Sequence, residues 1–192
     1  MLKLLRSSEK FLVASLWSMM STLPAANLLW MFILVALPFI LNDAFANADA
    51  ANTATGHSYD VNAGGRAHKV KNGKQWSADQ PHSPGSWGYT GGSTATTSKS
   101  ISNTPDVRLY QSERNGNFSY KFDVPNGRYN ITLKFAETYW EKPGQRKFDV
   151  FIEGKKALDR YDICAMAGCM KAVEQTFKDI QVRDGQLAID FV

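Results

Sequence analysis

Apolar and polar residues alternate with a period of two along several segments of this chain, and that pattern constrains the fold most. In the clearest segment, the apolar positions are Phe118, Tyr120, Phe122 and Val124. Successive side chains of a β-strand point to opposite faces, so such a segment buries one face and exposes the other. Helical periodicity, with its repeat of about 3.6 residues, is not found. The pattern predicts an all-β protein.

Turn-forming residues separate this strand from the next one. The tripeptide Pro125-Asn126-Gly127 is typical of a hairpin turn, and residues 128–135 resume the alternation. Further strands are predicted over residues 147–153, 172–182 and 187–191. Between Phe177 and Ile180 the alternation breaks, and a β-bulge there would restore it. These strands predict an antiparallel β-sandwich whose first two strands form a meander.

The last predicted strand runs directly into the end of the sequence at Val192. A sandwich whose final strand stops without a polar tail indicates that the chain lacks its last strand. We therefore expect residues 187–192, or a neighbouring strand, to present an open edge.

Residues 1–46 differ in character from the rest. Lys3, Arg6 and Lys10 precede an unbroken apolar stretch over residues 28–41. That stretch is shorter than the ~20 residues of a membrane-spanning helix and fits the apolar region of a signal peptide. Small residues in Ala44-Phe45-Ala46 predict cleavage after Ala46. An additional apolar patch over residues 11–20 leaves two alternatives, a retained membrane anchor and a start codon placed too far upstream.

The chain is thus divided into three parts. Residues 1–46 are a signal peptide or membrane anchor, residues 47–56 a linker without periodicity, and residues 57–192 the folded domain. This organisation predicts a secreted, periplasmic or cell-surface domain that meets a membrane only through an uncleaved N-terminal segment. The net charge is +4, but the basic residues are scattered rather than clustered, so no nucleic-acid partner is expected.

Cys164 and Cys169 are the only cysteines. An even number in an exported protein suggests a disulfide, here closing a short loop that contains Gly168. Two unpaired thiols that pack in the interior are the alternative. A structural zinc site needs four ligands, and no pair of histidines lies near these cysteines. Neither a metal nor a cofactor is predicted.

The sequence gives little support for catalysis. It contains no G-x-S-x-G motif, and the three histidines all lie early, at His57, His68 and His82. Glycoside hydrolysis needs only two suitably spaced carboxylates, so this reaction stays open for the acids Glu137, Glu141, Asp149 and Asp162. No catalytic residue is predicted.

Aromatic residues give a stronger indication of function. Tyr139 and Trp140 are adjacent, and neighbours in an extended segment point to opposite faces, so at least one ring should be exposed. An exposed ring can stack on the C–H face of a sugar, whose hydroxyls then need polar partners. Such partners stand nearby as Glu113, Arg114, Asn115 and Glu137. The alternative is a ring that covers the end of a sheet.

A stretch rich in Gly, Ser, Thr and Pro over residues 64–104 is predicted to be a long loop. It carries Trp76, Trp87 and Tyr89, which have no periodic core face to join. We therefore expect a functional role for these rings, although one of them could plug the end of the sandwich.

Several short motifs occur in the order in which malectin domains show them. They are Val61-Asn62-Ala63-Gly64-Gly65, Trp76 with Asp79, Gly88-Tyr89-Thr90-Gly91-Gly92, residues 109–114, residues 134–140, Phe148-Asp149-Val150, Asp162-Ile163 and Ala167-Gly168. Together they make residues 57–192 resemble the malectin family. The resemblance implies a jelly-roll-like sandwich, with loops at one end forming an aromatic cleft for a glucose disaccharide and no catalytic residues.

Carried over residue by residue, the resemblance implies a carbohydrate site formed by Tyr89, Glu113, Arg114, Asn115, Tyr139 and Trp140. Asn115 stands where the animal lectin has Tyr, and an acid that the family supplies beyond the last strand has no counterpart in this sequence. The expected partner is an oligosaccharide or polysaccharide. Two further hypotheses are a protein-interaction or structural module and an accessory module of a glycoside hydrolase.

Overall fold

The computed structural model describes Leu2–Arg6 and residues 56–192. The strands are β1 (Leu2–Arg6), β2 (Ser58–Asn62), β3 (His68–Lys69), β4 (Gln75–Ala78), β5 (Trp87–Thr96), β6 (Ser112–Asp123), β7 (Gly127–Phe135), β8 (Phe148–Ile152), β9 (Lys155–Tyr161), β10 (Val173–Val182) and β11 (Gln186–Phe191). The helices of the described residues are a 3₁₀ helix at Val107–Tyr110 and the short α1 (Ile163–Ala167). The prediction of an all-β fold is confirmed.

The strands form two sheets. One has the order β10-β7-β1-β2-β4-β3 and the other the order β5-β6-β11-β8-β9. Neighbouring strands are antiparallel except for β2 and β4, which are parallel. Apolar residues of both sheets meet in one core, as expected for a sandwich.

The residues that alternation places inward form this core. Tyr120 and Phe122 of β6 are buried against Ile131 and Leu133 of β7 and Ile189 of β11. Complete burial of such a side chain contributes about 1.5–3 kcal/mol. The predicted facing of these strands is therefore confirmed, and the predicted bulge lies between Phe177 and Ile180 of β10.

The predicted meander of the first two strands is wrong. The turn at Pro125-Asn126-Gly127 joins β6 of the five-stranded sheet to β7 of the six-stranded sheet, so the two strands do not pair. Instead, Tyr129 donates a hydrogen bond from its hydroxyl to the carbonyl of Pro125 at 2.7 Å, fixing the crossing. Alternation defines which face of a strand is buried but not which strand lies beside it, and both connections satisfy the same pattern.

The prediction of a loop over residues 64–104 is wrong as well. This stretch contains β3, β4 and the ten-residue β5, which pairs with β6 from Trp87 opposite Phe122 to Thr96 opposite Ser112. Glycines at 91 and 92 take positive φ angles where the register shifts, so they permit the bulge that keeps the pairing. Trp76 is only 4% exposed and belongs to a second core cluster with Leu109 and Tyr110.

The beginning of the chain contributes β1, which lies between β2 and β7. The apolar stretch at 28–41, the cleavage site after Ala46 and residues 47–55 of the predicted 47–56 linker fall outside the described residues. Within the described part, no helix is long and apolar enough to cross a bilayer. At the other end, β11 lies between β6 and β8 and is therefore not an edge strand.

Candidate functional site

A hollow of about 800 Å³ opens at the end of the sandwich where β6 begins and β7 ends. Its wall is formed by the first residues of β6, the end of β7 and the segment 136–140 that follows, with the approach to β8 and the end of β11. Five of the six predicted site residues line it: Glu113, Arg114, Asn115, Tyr139 and Trp140. The fold therefore brings together two segments that are separated by more than twenty positions in sequence.

The two adjacent aromatic residues stand at this hollow. Tyr139 is 68% exposed, whereas Trp140 is half-buried. Their ring centroids are 4.9 Å apart and the ring planes are perpendicular. This edge-to-face contact holds each ring in place through its neighbour. The result is an apolar surface that solvent can reach, as stacking on a ligand requires.

The segment that carries both rings is held by a buried carboxylate. Glu137 is 1% exposed, and its Oε1 accepts hydrogen bonds from the backbone N–H of Tyr139 at 2.9 Å and of Trp140 at 3.1 Å. Its Oε2 pairs with Nε of Arg146 at 3.0 Å. Its own backbone carbonyl accepts from Met170 N at 2.9 Å. Glu137 therefore fixes the backbone beneath the rings rather than facing a ligand.

Glu113 of β6 shares the same arginine. Its Oε2 accepts a hydrogen bond from the Thr138 hydroxyl at 3.1 Å, and its Oε1 lies 3.5 Å from Nη1 of Arg146. Asn115 donates to the same Oε1 at 3.4 Å. Arg146 thus bridges two carboxylates and links β6 to the aromatic segment. Glu113, Asn115 and Thr138 place polar atoms beside the exposed rings.

Arg114 belongs to a buried network behind the hollow. Its Nε and Nη2 donate to Oδ2 of Asp79 at 3.0 and 2.9 Å, and its Nη1 donates to the carbonyl of Gly91 at 2.9 Å. Asp79 also accepts from Gly64 N at 2.7 Å and from the Tyr120 hydroxyl at 2.7 Å. Burial and the charge of Asp79 raise the pKa of Tyr120, so this hydroxyl stays protonated as a donor. Arg114 therefore acts as scaffold.

Tyr89, the sixth predicted residue, is not in this hollow. It lies on β5, and the Arg114 guanidinium carbon lies 3.2 Å from the centroid of its ring, in a cation–π contact. Its ring lines a second, neighbouring hollow. The structure therefore separates Tyr89 from Tyr139 and Trp140.

Two of the other acids considered for hydrolysis, Asp149 and Asp162, have structural partners. Asp149 pairs with Lys156 at 2.7 Å and accepts from Arg160 N. Hydrogen bonds from the N–H groups of Ala165 and Gly144 lower the pKa of Asp162, which caps α1. Among residues 56–192, no three metal-binding side chains are grouped to hold a metal ion.

A disulfide lies directly behind the aromatic segment. Cys164 and Cys169 are bonded, and Sγ of Cys164 lies 3.8 Å from the carbonyl oxygen of Trp140. The bond closes the loop that contains α1. It therefore contributes to the support of the Trp140 backbone.

The sequence matches the family model described as the malectin domain over residues 57–192. The chain belongs to the malectin family. Because the match begins where the described fold resumes and reaches the last residue, it covers both sheets apart from β1. Membership of the malectin family suggests carbohydrate binding.

Relatives and solved structures agree with this assignment. Malectin of Homo sapiens is 31% identical over 67% of this chain and 44% of that protein. A β-glucuronidase of Bacteroides uniformis superposes with a TM-score of 0.63 at 29% identity, over 69% of this chain but 16% of that one. The extracellular domain of Arabidopsis thaliana ANXUR2 gives 0.60 at 20% identity, over 70% and 42%, and shares the fold. The chain spans less than half of the first curated relatives it matches.

Two important residues were not identified from the malectin motifs or from alternation. Arg146 joins Glu113 to Glu137 but precedes β8 in a polar segment without a pattern. Thr138 lies within the motif of residues 134–140 and donates a hydrogen bond to Glu113, a contact that the sequence does not predict. The sequence shows that Glu113 and Glu137 would each need a cationic partner, but their spacing does not show that both lie beside Arg146.

Proposed function

We propose that residues 57–192 bind carbohydrate without cleaving it, stacking a glucose-containing oligosaccharide on Tyr139 and Trp140. The observation that carries the proposal is the perpendicular pair of rings, of which Tyr139 is exposed, at a hollow that polar side chains also line. Sugar recognition needs both an aromatic surface for the C–H face and fixed polar atoms for the hydroxyls. Glu113, Asn115 and Thr138 supply the polar atoms.

The test uses the full chain on a glycan array, followed by titration with the best ligand. We expect Tyr139→Ala and Trp140→Ala each to lose about 2 kcal/mol, or roughly thirtyfold in affinity, without a change in melting temperature. Met166→Ala is the matched control, because Met166 is 63% exposed but does not line the hollow. Unchanged affinity in both aromatic variants would place the site elsewhere.

The two acids nearest the aromatic pair, one lining the hollow and one buried beneath it, support binding over catalysis. Glu113 and Glu137 are both engaged by Arg146, and Glu137 is also held by two backbone N–H groups. A carboxylate that fixes the backbone is poorly placed to move as an acid or a nucleophile. Incubation of the best array ligand with the protein should release no new reducing ends. Their appearance, and their loss in Glu113→Gln, would establish a hydrolase.

An accessory module of a glycoside hydrolase is a second reading within the same chemistry. The match to a β-glucuronidase supports it, because that match covers 69% of this chain and only 16% of the enzyme. In this reading the domain holds a glycan for a catalytic domain on the same polypeptide. The genomic sequence around this reading frame tests it directly, because a neighbouring hydrolase domain is required.

We also propose export, with cleavage after Ala46 and a secreted, periplasmic or cell-surface location. The bonded cysteines support an oxidising compartment, in which disulfides persist. N-terminal sequencing of the protein from the producing cells is the test. A mature chain that begins at Asn47 supports export with cleavage, and an intact Met1 in a membrane fraction supports the anchor.

A further inference from the structure

A second and more polar hollow, of about 920 Å³, adjoins the first. The two hollows share Thr96, Thr97, Ser112 and Arg114, which therefore form the ridge between them. Because the hollows share these lining residues, one extended chain molecule could occupy both. Nothing in the function proposed above uses the second hollow.

The charge of this hollow is positive and partly uncompensated. Arg66, Arg108 and Arg114 line it, and Asp79 is its one carboxylate. Asp79 is already committed to Arg114, Tyr120 and the backbone N–H of Gly64. Within the described part of the chain, the guanidinium groups of Arg66 and Arg108 have no ion pair and no hydrogen bond. Two planar donors are thus available to a ligand.

The remaining wall has the character of a sugar site. The Tyr89 ring lines this hollow and is held by Arg114, which lies against it at 3.2 Å. This hollow is also lined by four residues that carry hydroxyl groups, at the end of the edge strand β5 and directly after it: Thr94, Thr96, Thr97 and Ser98. A fixed ring and several hydroxyls suit a sugar in the same way as the first hollow does. The two free arginines distinguish it, because a guanidinium pairs with carboxylate or sulfate oxygens in a bidentate manner.

We propose that this second hollow is a subsite for an anionic sugar residue, carrying a carboxylate or a sulfate, of the same glycan that occupies the first hollow. The proposal rests on the function proposed above and adds the chemical class of the ligand. Arg66 and Arg108 bind the anion, Tyr89 packs on the sugar ring, and the ridge at Thr96 and Ser112 is crossed by the glycosidic linkage. A glycan fits better than an acidic peptide because the hollow continues into the aromatic one.

The test compares three oligosaccharides of equal length with the full chain: a neutral gluco-oligosaccharide, an oligouronide and a sulfated oligosaccharide. We expect at least one anionic ligand to bind more tightly than the neutral one, and the advantage to shrink with added salt. The double variant Arg66→Gln/Arg108→Gln should lose about tenfold for that anionic ligand and nothing for the neutral one. The preferred anionic ligand identifies carboxylate or sulfate as the group recognised.

The matched control is Lys178→Gln/Arg183→Gln, which removes two exposed cations outside both hollows. It should leave all three affinities unchanged. Equal affinity for neutral and anionic ligands, an equal loss for both in the Arg66/Arg108 variant, or a loss of the same size in the control would overturn the subsite. Binding of a polyglutamate peptide that matches the best oligosaccharide and is lost in that variant would overturn the glycan assignment.

The failure of this proposal is distinguishable from the failure of the proposed function. If the neutral ligand binds and Trp140→Ala weakens it, the first hollow stands whatever the Arg66/Arg108 variant does. If the full chain binds none of the three oligosaccharides and none on the array, the proposed function fails and takes the subsite with it.

Discussion

The two sheets of the sandwich differ in where their strands come from. The five-stranded sheet β5-β6-β11-β8-β9 is built entirely from residues 87–191. The six-stranded sheet needs β1, at the very start of the chain, to join β2 to β7. The candidate site uses both, because Glu113 lies on β6 and the aromatic pair follows β7. One half of the site therefore depends on a distant segment, and the other does not.

Removal of residues 1–46 should have the largest effect. Without β1, the facing edges of β2 and β7 lose their partners along Leu2–Arg6, and unpaired edges expose backbone groups and favour association. With about 1 kcal/mol for each net hydrogen bond, we expect a loss of roughly 5 kcal/mol in the free energy of unfolding. Urea denaturation of a chain that begins at Asn47, against the full chain, measures it.

Hydrogen exchange sharpens this prediction to the level of single strands. Amides of β2 and β7 should exchange faster in the shortened chain, and those of β6 and β11 should keep most of their protection. A synthetic peptide of residues 1–8 should restore the slow exchange. Cleavage after Ala46 removes β1, so the proposed cleavage conflicts with the pairing of β1 in the sheet. Equal stability of the two chains would show that β1 is dispensable, and the conflict would then disappear.

Loss of the hydrogen-bonded link that Asp79 forms between the two sheets should have the next largest effect on stability. Asp79 follows β4 of one sheet and binds Arg114 and Tyr120 of the other. Asp79→Asn leaves the Arg114 guanidinium, whose side chain is 4% exposed, without its anion, and we expect a loss of about 3 kcal/mol in unfolding free energy. Thermal and urea denaturation both report it.

Asp60→Asn is the matched control for this link. Asp60 is also buried, with 8% of its side chain exposed, but its partner Lys74 is 37% exposed and can turn to water. The control should cost less than about 1 kcal/mol. Equal losses in the two variants would mean that the charge of Arg114 is compensated in another way.

The contact between β2 and β6 gives a third, smaller test. Gly64 follows β2 with φ at 70°, and a Cβ there would lie 2.1 Å from the carbonyl oxygen of Glu113. Gly64→Ala should therefore lose about 2–3 kcal/mol through strain and a backbone shift. Gly85→Ala is the control, because Gly85 has φ at 78° but no atom near the added methyl. It should cost only about 1 kcal/mol in chemical denaturation, and equal losses would contradict the close approach.

The same comparison shows what the sequence could predict. Period-two burial identified the inward faces of β6, β7 and β11 correctly, because burial of a strand follows its own residues. Pairing depends on the partner, and so the crossing from β6 to β7 at Pro125 was missed. β5 was missed because its glycines and exposed threonines lack alternation, although its pairing with β6 is extensive.

In the candidate site, too, some features could be predicted from the sequence and others could not. Adjacency alone predicts that at least one of the two neighbouring rings is exposed, because they cannot share one face, and in the structure the exposed ring is Tyr139. The separation of Tyr89 from that pair, and the bridge of Arg146 between Glu113 and Glu137, depend on how the loops pack in three dimensions. Residues proposed to contact a ligand could thus be selected by side-chain type, whereas those that position them could not.

The smallest effect is expected outside both sheets, at the rim formed by Asp162 and α1, where Cys164 contacts the Trp140 carbonyl. Asp162 accepts hydrogen bonds from Ala165 N and Gly144 N, which hold its pKa below the ordinary value of 3.8. A carboxyl whose pKa is lower in the folded state stabilises the fold at neutral pH, and that contribution is lost as the pH falls below 3.8 through the folded value.

Asn can also cap a helix, so Asp162→Asn should lower the melting temperature only slightly at pH 7. The difference between the two proteins should then shrink as the pH falls through the folded pKa of Asp162. Melting curves from pH 7 down to pH 2 measure this convergence. A difference that stays constant with pH would show that the charge of Asp162 does not stabilise the rim, and that the cap acts through its shape and hydrogen bonds.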